Sequence, residues 1–366
     1  MRRAARALLP PLVAFVLARA FLVVISAGTS RPPWEPGSWS GPDTAHYLSI
    51  AKHGYALFPC SPEDPPPGHC GNAGWMPAYP WAIRALLATG LSPRRAAVVV
   101  SAVFAFLGLA LLWKGFLASW GRDGVLPLMI AAFFPGQVYE HGAFPLAQLT
   151  FFALLSLYLA GRDRWWGAGL AGAAAALTYP TGCLLAPVLF TARLLAGPGQ
   201  RRKRQAAGAA ALVLAGFAGV LALQWWKLGV WNAFFVVQGA YGHRLGSPLR
   251  VFWGAVRPAF TPPWHGVGEG PALQTLFIAA WIVATLALAA RRRERADVLV
   301  ATYALVFWLF PLCLGGTVSL YRSEATLLPT TLLARDMPRP VACLALGGAV
   351  AVAWSMGVLY FRLLLV

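Results

Sequence analysis

LLPPLVAFVLARAFLVVISA, residues 8–27, follows the basic start MRRAAR and decides the class of fold. Interrupted only by Arg19, it is long enough to cross a hydrocarbon core of roughly 30 Å as one helix. A secretory signal peptide shares the basic start, but its apolar stretch is shorter, and here comparable runs recur along the whole chain. The segment therefore reads as a retained first helix. Further runs lie at about 96–118, 125–139, 143–161, 165–178, 182–197, 205–226, 272–290, 297–315, 324–334 and 341–361, with a shorter apolar piece at 79–90. The expectation is an all-α, polytopic helical membrane protein of about eleven transmembrane helices, in a single integral-membrane domain over 1–366. The runs are continuous rather than alternating, which excludes a transmembrane β-barrel. Only 11% of residues are charged, against about 25% in soluble proteins. With 58% hydrophobic residues and a mean hydropathy of +0.62, a soluble enzyme, a disordered tail and a secreted disulfide-rich module are excluded.

The net charge of +18 does not point to nucleic acid, because the basic residues sit in short clusters between apolar runs. Arg2, Arg3 and Arg6, then Arg162 and Arg164, then Arg201 to Arg204, then Arg291 to Arg295, then Arg335 and Arg339 all fall on one side. This is the side the positive-inside rule makes cytoplasmic. Arg far outnumbers Lys, and Ala, Gly, Pro and Leu abound, as in a GC-rich genome, so the expected home is a bacterial plasma (inner) membrane. Two long segments, 28–78 and 227–271, then lie on the extracytoplasmic side. So do all six histidines, His46, His53, His69, His141, His243 and His265, and the carboxylates Glu35, Asp43, Glu63, Asp64, Glu140, Glu269 and Glu324. Groups able to do proton chemistry are concentrated there. Longer polar loops on that side account for part of the asymmetry. Cys60 and Cys70 share the first loop, an oxidising setting in which they can form a disulfide. His69 beside them does not make a zinc ligand set.

The first loop carries SGPDTAHYLSIAKHGY, residues 40–55. It reads as a short amphipathic helix with Ser40 as N-cap, Pro42 in the first turn and Gly54 at the end. Asp43, His46, Tyr47 and Ile50 then share one face. Two readings stand side by side. Ser40-x-x-Asp43 is a capping-box pattern, and His46 and Tyr47 suit the bilayer interface. Alternatively, an acid, an imidazole and a phenol point together to do chemistry.

Asp43-x-x-His46-Tyr47-x-x-Ile50-Ala51-x-x-Gly54-Tyr55 resembles the first-loop motif of the PIG-V type mannosyltransferases, within the GT-C superfamily of integral-membrane glycosyltransferases. Pro42 stands where that family has Trp. Further resemblances follow in order. Trp75-Met76-Pro77-Ala78-Tyr79-Pro80 is similar to the aromatic-Pro-x-Tyr-Pro segment entering the next helix. Phe134-Pro135 matches a Phe-Pro pair. Thr178-Tyr179-Pro180-Thr181-Gly182 resembles Thr-Arg-Pro-x-Gly, with Tyr179 replacing Arg. Ser319-Leu320-Tyr321-Arg322 with Pro329 resembles a late Ser-x-x-Arg-Tyr and Phe-Pro segment. Where the family often carries Tyr-x-Glu, this chain has Phe144-Pro145-Leu146-Ala147 and no acid.

The resemblance implies transfer of a hexose, mannose or a relative, from a polyprenyl-phosphate sugar donor to a glycan, glycolipid or protein acceptor, with inversion. A carboxylate must orient or deprotonate the acceptor, a task for Asp43. A cation must hold the phosphate as charge builds on it, a task for Arg322; an interface-anchoring role is the alternative for that residue. His46 and Tyr47 would line the site, Trp75, Tyr79 and Tyr179 would stack on a sugar or pack the walls, and Arg244 and Arg250 are less specific phosphate candidates. The sixteen tryptophans mostly suit interfacial belts. There is no metal-ligand signature, no Gly-rich phosphate loop and no Asp-x-Asp, though a divalent cation stays open as a cofactor. A transporter or flippase for a lipid-linked glycan is the alternative from another class, but few charges lie mid-span and no repeat is evident. A scaffold subunit that keeps the fold without catalysis is the third reading.

Overall fold

The computed structural model describes residues 2–60, 69–195, 200–241, 245–262, 267–292, 294–315 and 319–365. His243, Arg244, His265, Glu63 and Asp64 lie outside the described residues. In chain order the helices are α1 (Arg2–Gly28), α2 (Thr44–His53), α3 (Ala78–Leu87), α4 (Pro93–Leu112), α5 (Val125–Ala132), α6 (Val138–His141), α7 (Leu146–Gly161) and α8 (Trp165–Thr178). They continue with α9 (Leu185–Leu195), α10 (Gln200–Leu228), α11 (Ala233–Gly239), α12 (Pro248–Val256), α13 (Glu269–Arg292), α14 (Arg295–Cys313), α15 (Leu320–Ala325) and α16 (Arg339–Phe361). A small antiparallel hairpin, β1 (Leu57–Pro59) and β2 (His69–Gly71), pairs Phe58 with Cys70. The hairpin departs from a purely helical expectation, and the disulfide Cys60–Cys70 links the residue after β1 to the middle of β2.

Six described segments are long and apolar enough to cross a membrane: Leu8–Gly28, Pro93–Ala132, Lys203–Leu228, Glu269–Arg292, Ala296–Cys313 and Arg339–Phe361. They make this a multi-pass membrane protein. Leu146–Gly161 and Pro180–Ala192 are shorter apolar helices. The expected count of about eleven is not confirmed among the described residues, and two of the expected runs depart from a single helix for physical reasons. The apolar run 125–139 is not one helix. α5 has 8 residues, a rise of about 12 Å against a core of roughly 30 Å. The chain then turns at Gly136, whose φ is 81°, and starts α6. The run 324–334 is mostly a 3-10 segment, Leu328–Asp336, containing Pro329. Both stretches are buried among other helices, where irregular backbone at membrane depth is tolerated.

Small residues set the closest helix contact. A methyl group at Gly169 would stand 2.8 Å from the Ala209 backbone, and one at Gly216 would stand 2.6 Å from the Ala173 carbonyl oxygen. α8 and α10 therefore pack nearly backbone to backbone, as small-residue interfaces allow in lipid. At one end of the bundle Arg335 pairs with Asp297 at 2.6 Å, Arg292 with Asp336 at 2.8 Å and Arg339 with Asp123 at 2.6 Å. The first loop sits at the opposite end, reached by the C-terminal ends of α1 and α16.

Glu140 and His141 were expected in a polar turn, and the structure buries both. α6 folds back into the bundle, so the Glu140 carboxyl accepts a hydrogen bond from Thr150 Oγ1 at 2.7 Å. The His141 ring stacks on Phe15. Glu324 is buried as well, accepting from Gln274 Nε2 at 3.0 Å.

Candidate active site

The first loop is fixed from three sides around Trp39. The Trp39 carbonyl accepts from the Tyr360 hydroxyl at 2.7 Å and from the Ala143 amide at 2.8 Å. The Arg19 guanidinium lies 3.4 Å from the center of the Trp39 ring and donates to the His141 carbonyl at 2.8 Å. α1, α16 and the α6–α7 link thus hold the entry to α2.

α2 starts later than its sequence pattern suggests. Its N-cap is Asp43, not Ser40, and the Asp43 side chain makes no capping bond. Ser40 Oγ donates instead to the Pro36 carbonyl at 3.2 Å. Thr44 Oγ1 accepts from the Gly41 amide at 3.0 Å and donates to the Ala143 carbonyl at 3.1 Å, which docks the first turn on the α6–α7 link. At the other end Gly54 takes a φ of 86°, and Arg84 donates to the carbonyls of Ala51 at 2.7 Å and Ile50 at 3.2 Å. A cation there satisfies terminal carbonyls and complements the helix dipole.

With its capping role unfilled, the Asp43 carboxylate forms an ion pair with Arg322, a residue 279 positions away on α15. The Arg322 side chain is 9% exposed and that of Asp43 22%. The guanidinium also lies 5.5 Å from the Phe144 ring center and 5.9 Å from that of Tyr139, within cation–π range. Burial works against its charge, but Asp43, with Tyr179, Tyr139 and Tyr321, outweighs that and raises its pKa above the ordinary value. A small pocket opens here between Gly41, Pro42, Asp43, Arg322, Tyr360 and Leu363.

The other residues singled out in the sequence fall in different places. His46, one turn after Asp43, stacks on Trp75 with ring centers 3.5 Å apart. Burial lowers its pKa, opposed by Asp43, so the imidazole is neutral at neutral pH. Tyr47 is buried edge-on against Tyr79 and Phe144. Tyr179 packs against Phe144, and burial pushes its phenol up to about 12. Tyr79 is 0% exposed, and its hydroxyl bonds to the Ala97 carbonyl and Ser101, both at 2.9 Å. It braces α3 on α4 and turns no polar atom to the pair. Arg250 lies exposed on α12, away from these residues. Tyr139, Tyr321, Tyr360 and Phe144, which frame the pair, were not foreseen. Among the described residues no three His, Cys, Asp or Glu side chains gather to hold a metal ion.

The arrangement offers a carboxylate able to take a proton and a forked cation able to bind two oxygens of a phosphate, side by side in a half-closed aromatic pocket.

No protein-family model matches this chain, and no curated protein does. Solved structures match throughout its length. ArnT from Cupriavidus metallidurans bound to undecaprenyl phosphate aligns with a TM-score of 0.59 and 14% identity over 95% of this chain and 76% of ArnT. The Archaeoglobus fulgidus oligosaccharyltransferase in the apo form aligns with a TM-score of 0.56 and 13% identity over 96% of this chain and 56% of its own. Archaeal oligosaccharyltransferase AglB from the same organism, in complex with an inhibitory peptide and a dolichol-phosphate, gives a TM-score of 0.53 and 14% identity over 95% and 56%. The chain therefore spans three quarters of ArnT and little more than half of the oligosaccharyltransferase. Identities this low show a shared fold alone, that of ArnT and of the archaeal oligosaccharyltransferase.

Proposed function

We propose that the chain is a glycosyltransferase that moves a hexose, with mannose as first candidate, from a polyprenyl-phosphate sugar to an acceptor on the extracytoplasmic face of a bacterial plasma membrane. The observation that carries this reading is the ion pair of Asp43 and Arg322 in its ring of aromatic side chains. The fold shared with ArnT, solved with undecaprenyl phosphate, and with AglB, solved with a dolichol-phosphate, supports a lipid-linked donor.

In this mechanism Arg322 binds the donor phosphate through two N–H···O bonds and stabilises the charge that grows as the sugar leaves. Asp43 accepts the proton of the attacking hydroxyl. Attack from the face opposite the phosphate inverts the anomeric centre. Since Arg322 is paired with Asp43 before the donor arrives, donor binding draws the guanidinium toward phosphate and releases the carboxylate. The base is thus unmasked when a lipid phosphate occupies Arg322. His46 and Trp75 form the edge at which the acceptor approaches, and Tyr179 and Tyr47 back the pair from behind.

The test is transfer of radiolabelled sugar from a panel of polyprenyl-phosphate donors by purified protein in liposomes. Asp43→Asn and Arg322→Gln are assayed beside the native chain. Transfer lost in both, with folding intact, is expected. Transfer undiminished in both would overturn the assignment of this pair.

A further inference from the structure

A second cavity, of about 550 Å³, lies between α2, the disulfide-bonded hairpin and α11. Small-ligand sites occupy roughly 300–1,000 Å³. It shares no lining residue with the pocket at Arg322. α2 connects the two. His46 lines the larger cavity, and Asp43 lies three residues earlier on the same face, about 5–6 Å away between Cβ atoms.

The walls are built. Asn72 Nδ2 donates to Ser49 Oγ at 3.2 Å and to the Gly54 carbonyl at 3.0 Å, and its Oδ1 accepts from the Ala56 amide at 2.8 Å. One amide thereby ties the hairpin to α2 and holds Ser49 at the cavity wall. Gln238 Nε2 donates to the Gly74 carbonyl at 2.8 Å and anchors α11 opposite. The Cys60–Cys70 disulfide closes the hairpin side.

The chemistry of the lining is one-sided. Ser49, His46, His69 and Tyr241 offer hydroxyls and imidazoles, and Phe58 and Tyr241 offer ring surfaces. Among the described lining residues there is no carboxylate, ammonium or guanidinium. Among those described residues a charged ligand would find no permanent counter-charge. A pyranose presents hydroxyls to such groups and its C–H face to an aromatic ring.

We infer that this cavity is the acceptor subsite and that the acceptor is a neutral, hydroxyl-rich glycan. The inference rests on the glycosyl-transfer reading above. The acceptor hydroxyl oxygen bonds to the anomeric carbon of the donor sugar. The bond from that carbon to the phosphate oxygen breaks, and its electron pair stays with the phosphate. The hydroxyl proton passes to Asp43 and then to water.

The experiment is saturation-transfer NMR on the full chain in nanodiscs. The probes are neutral disaccharides and trisaccharides of mannose, glucose and galactose, beside a hexuronic acid disaccharide and a short acidic peptide. Undecaprenyl phosphate binding is measured in parallel. Ala240→Trp fills the cavity from the exposed end of α11, and Ser49→Val removes a lining hydroxyl. Neutral saccharides are expected to bind in the millimolar range, at least tenfold more weakly to Ala240→Trp and several-fold more weakly to Ser49→Val, while both variants keep the native affinity for undecaprenyl phosphate. Retained lipid binding shows that the variants fold. Equal saccharide binding by both variants, no binding of any neutral saccharide, or preference for the charged probes would overturn the inference. Saccharide binding that behaves as expected, with no lipid-phosphate binding by the native chain, would instead overturn the glycosyl-transfer reading.

Discussion

Replacing Asp43 by Asn separates its two roles in opposite directions. The substitution keeps size and hydrogen-bonding shape but removes the charge that Arg322 holds in the donor-free protein. A phosphate on the same guanidinium would lie about 5 Å from the carboxylate, a repulsion of about 3 kcal/mol at an effective dielectric of about 20. The Asp43 side chain is 22% exposed, so solvent screening reduces that figure. The expected gain in affinity for undecaprenyl phosphate is about tenfold, or about 1.4 kcal/mol. General-base catalysis contributes about 10²–10⁴-fold, so transfer should fall by at least about a hundredfold. Tritiated undecaprenyl phosphate binding in nanodiscs and sugar transfer on the same preparations read the two effects. Weaker lipid binding by Asp43→Asn would refute the competition argument. Unchanged transfer would refute the base.

Other perturbations test neighbouring parts. Because burial lowers the His46 pKa, transfer should be flat around neutrality and fall as pH drops below the ordinary value of 6.5, where a second cation beside Asp43 forms; a pH–rate profile of His46→Gln should lack this limb. Tyr79→Phe removes a buried hydroxyl that serves only α4, so it should cost about 1 kcal/mol of stability with KM for donor unchanged; a large rise in KM would put Tyr79 in the site.

Apolar run lengths made the helical membrane class legible, and the spacing of polar residues in the first loop singled out Asp43 and His46. Arg322 was also found, from a short motif near the other end of the chain. That Asp43 and Arg322 touch was not legible, since no local pattern encodes a contact across 279 positions. The capping-box reading failed because Thr44 bonds to Ala143, a tertiary partner, and the helix begins one turn later than local rules suggest. Tyr139 and Tyr360 stand at the ends of apolar runs with no motif to mark them, and only the fold brings them close to Arg322. The broken segments at Gly136 and Pro329 were read as spans because hydropathy does not distinguish lipid contact from burial in protein.

The hydrogen bond from Tyr360 to the Trp39 carbonyl joins residues 321 positions apart. At roughly 5–20 residues per second, a ribosome needs about 15–60 s to make the second partner after the first. For that interval the loop bearing Asp43 has been delivered without its last brace and without Arg322. A nascent chain that stalls before α15 carries the acid without its ion-pair partner, so the Asp43–Arg322 pair cannot form in it. It also lacks the Tyr360 bond that holds the Trp39 carbonyl in the finished protein.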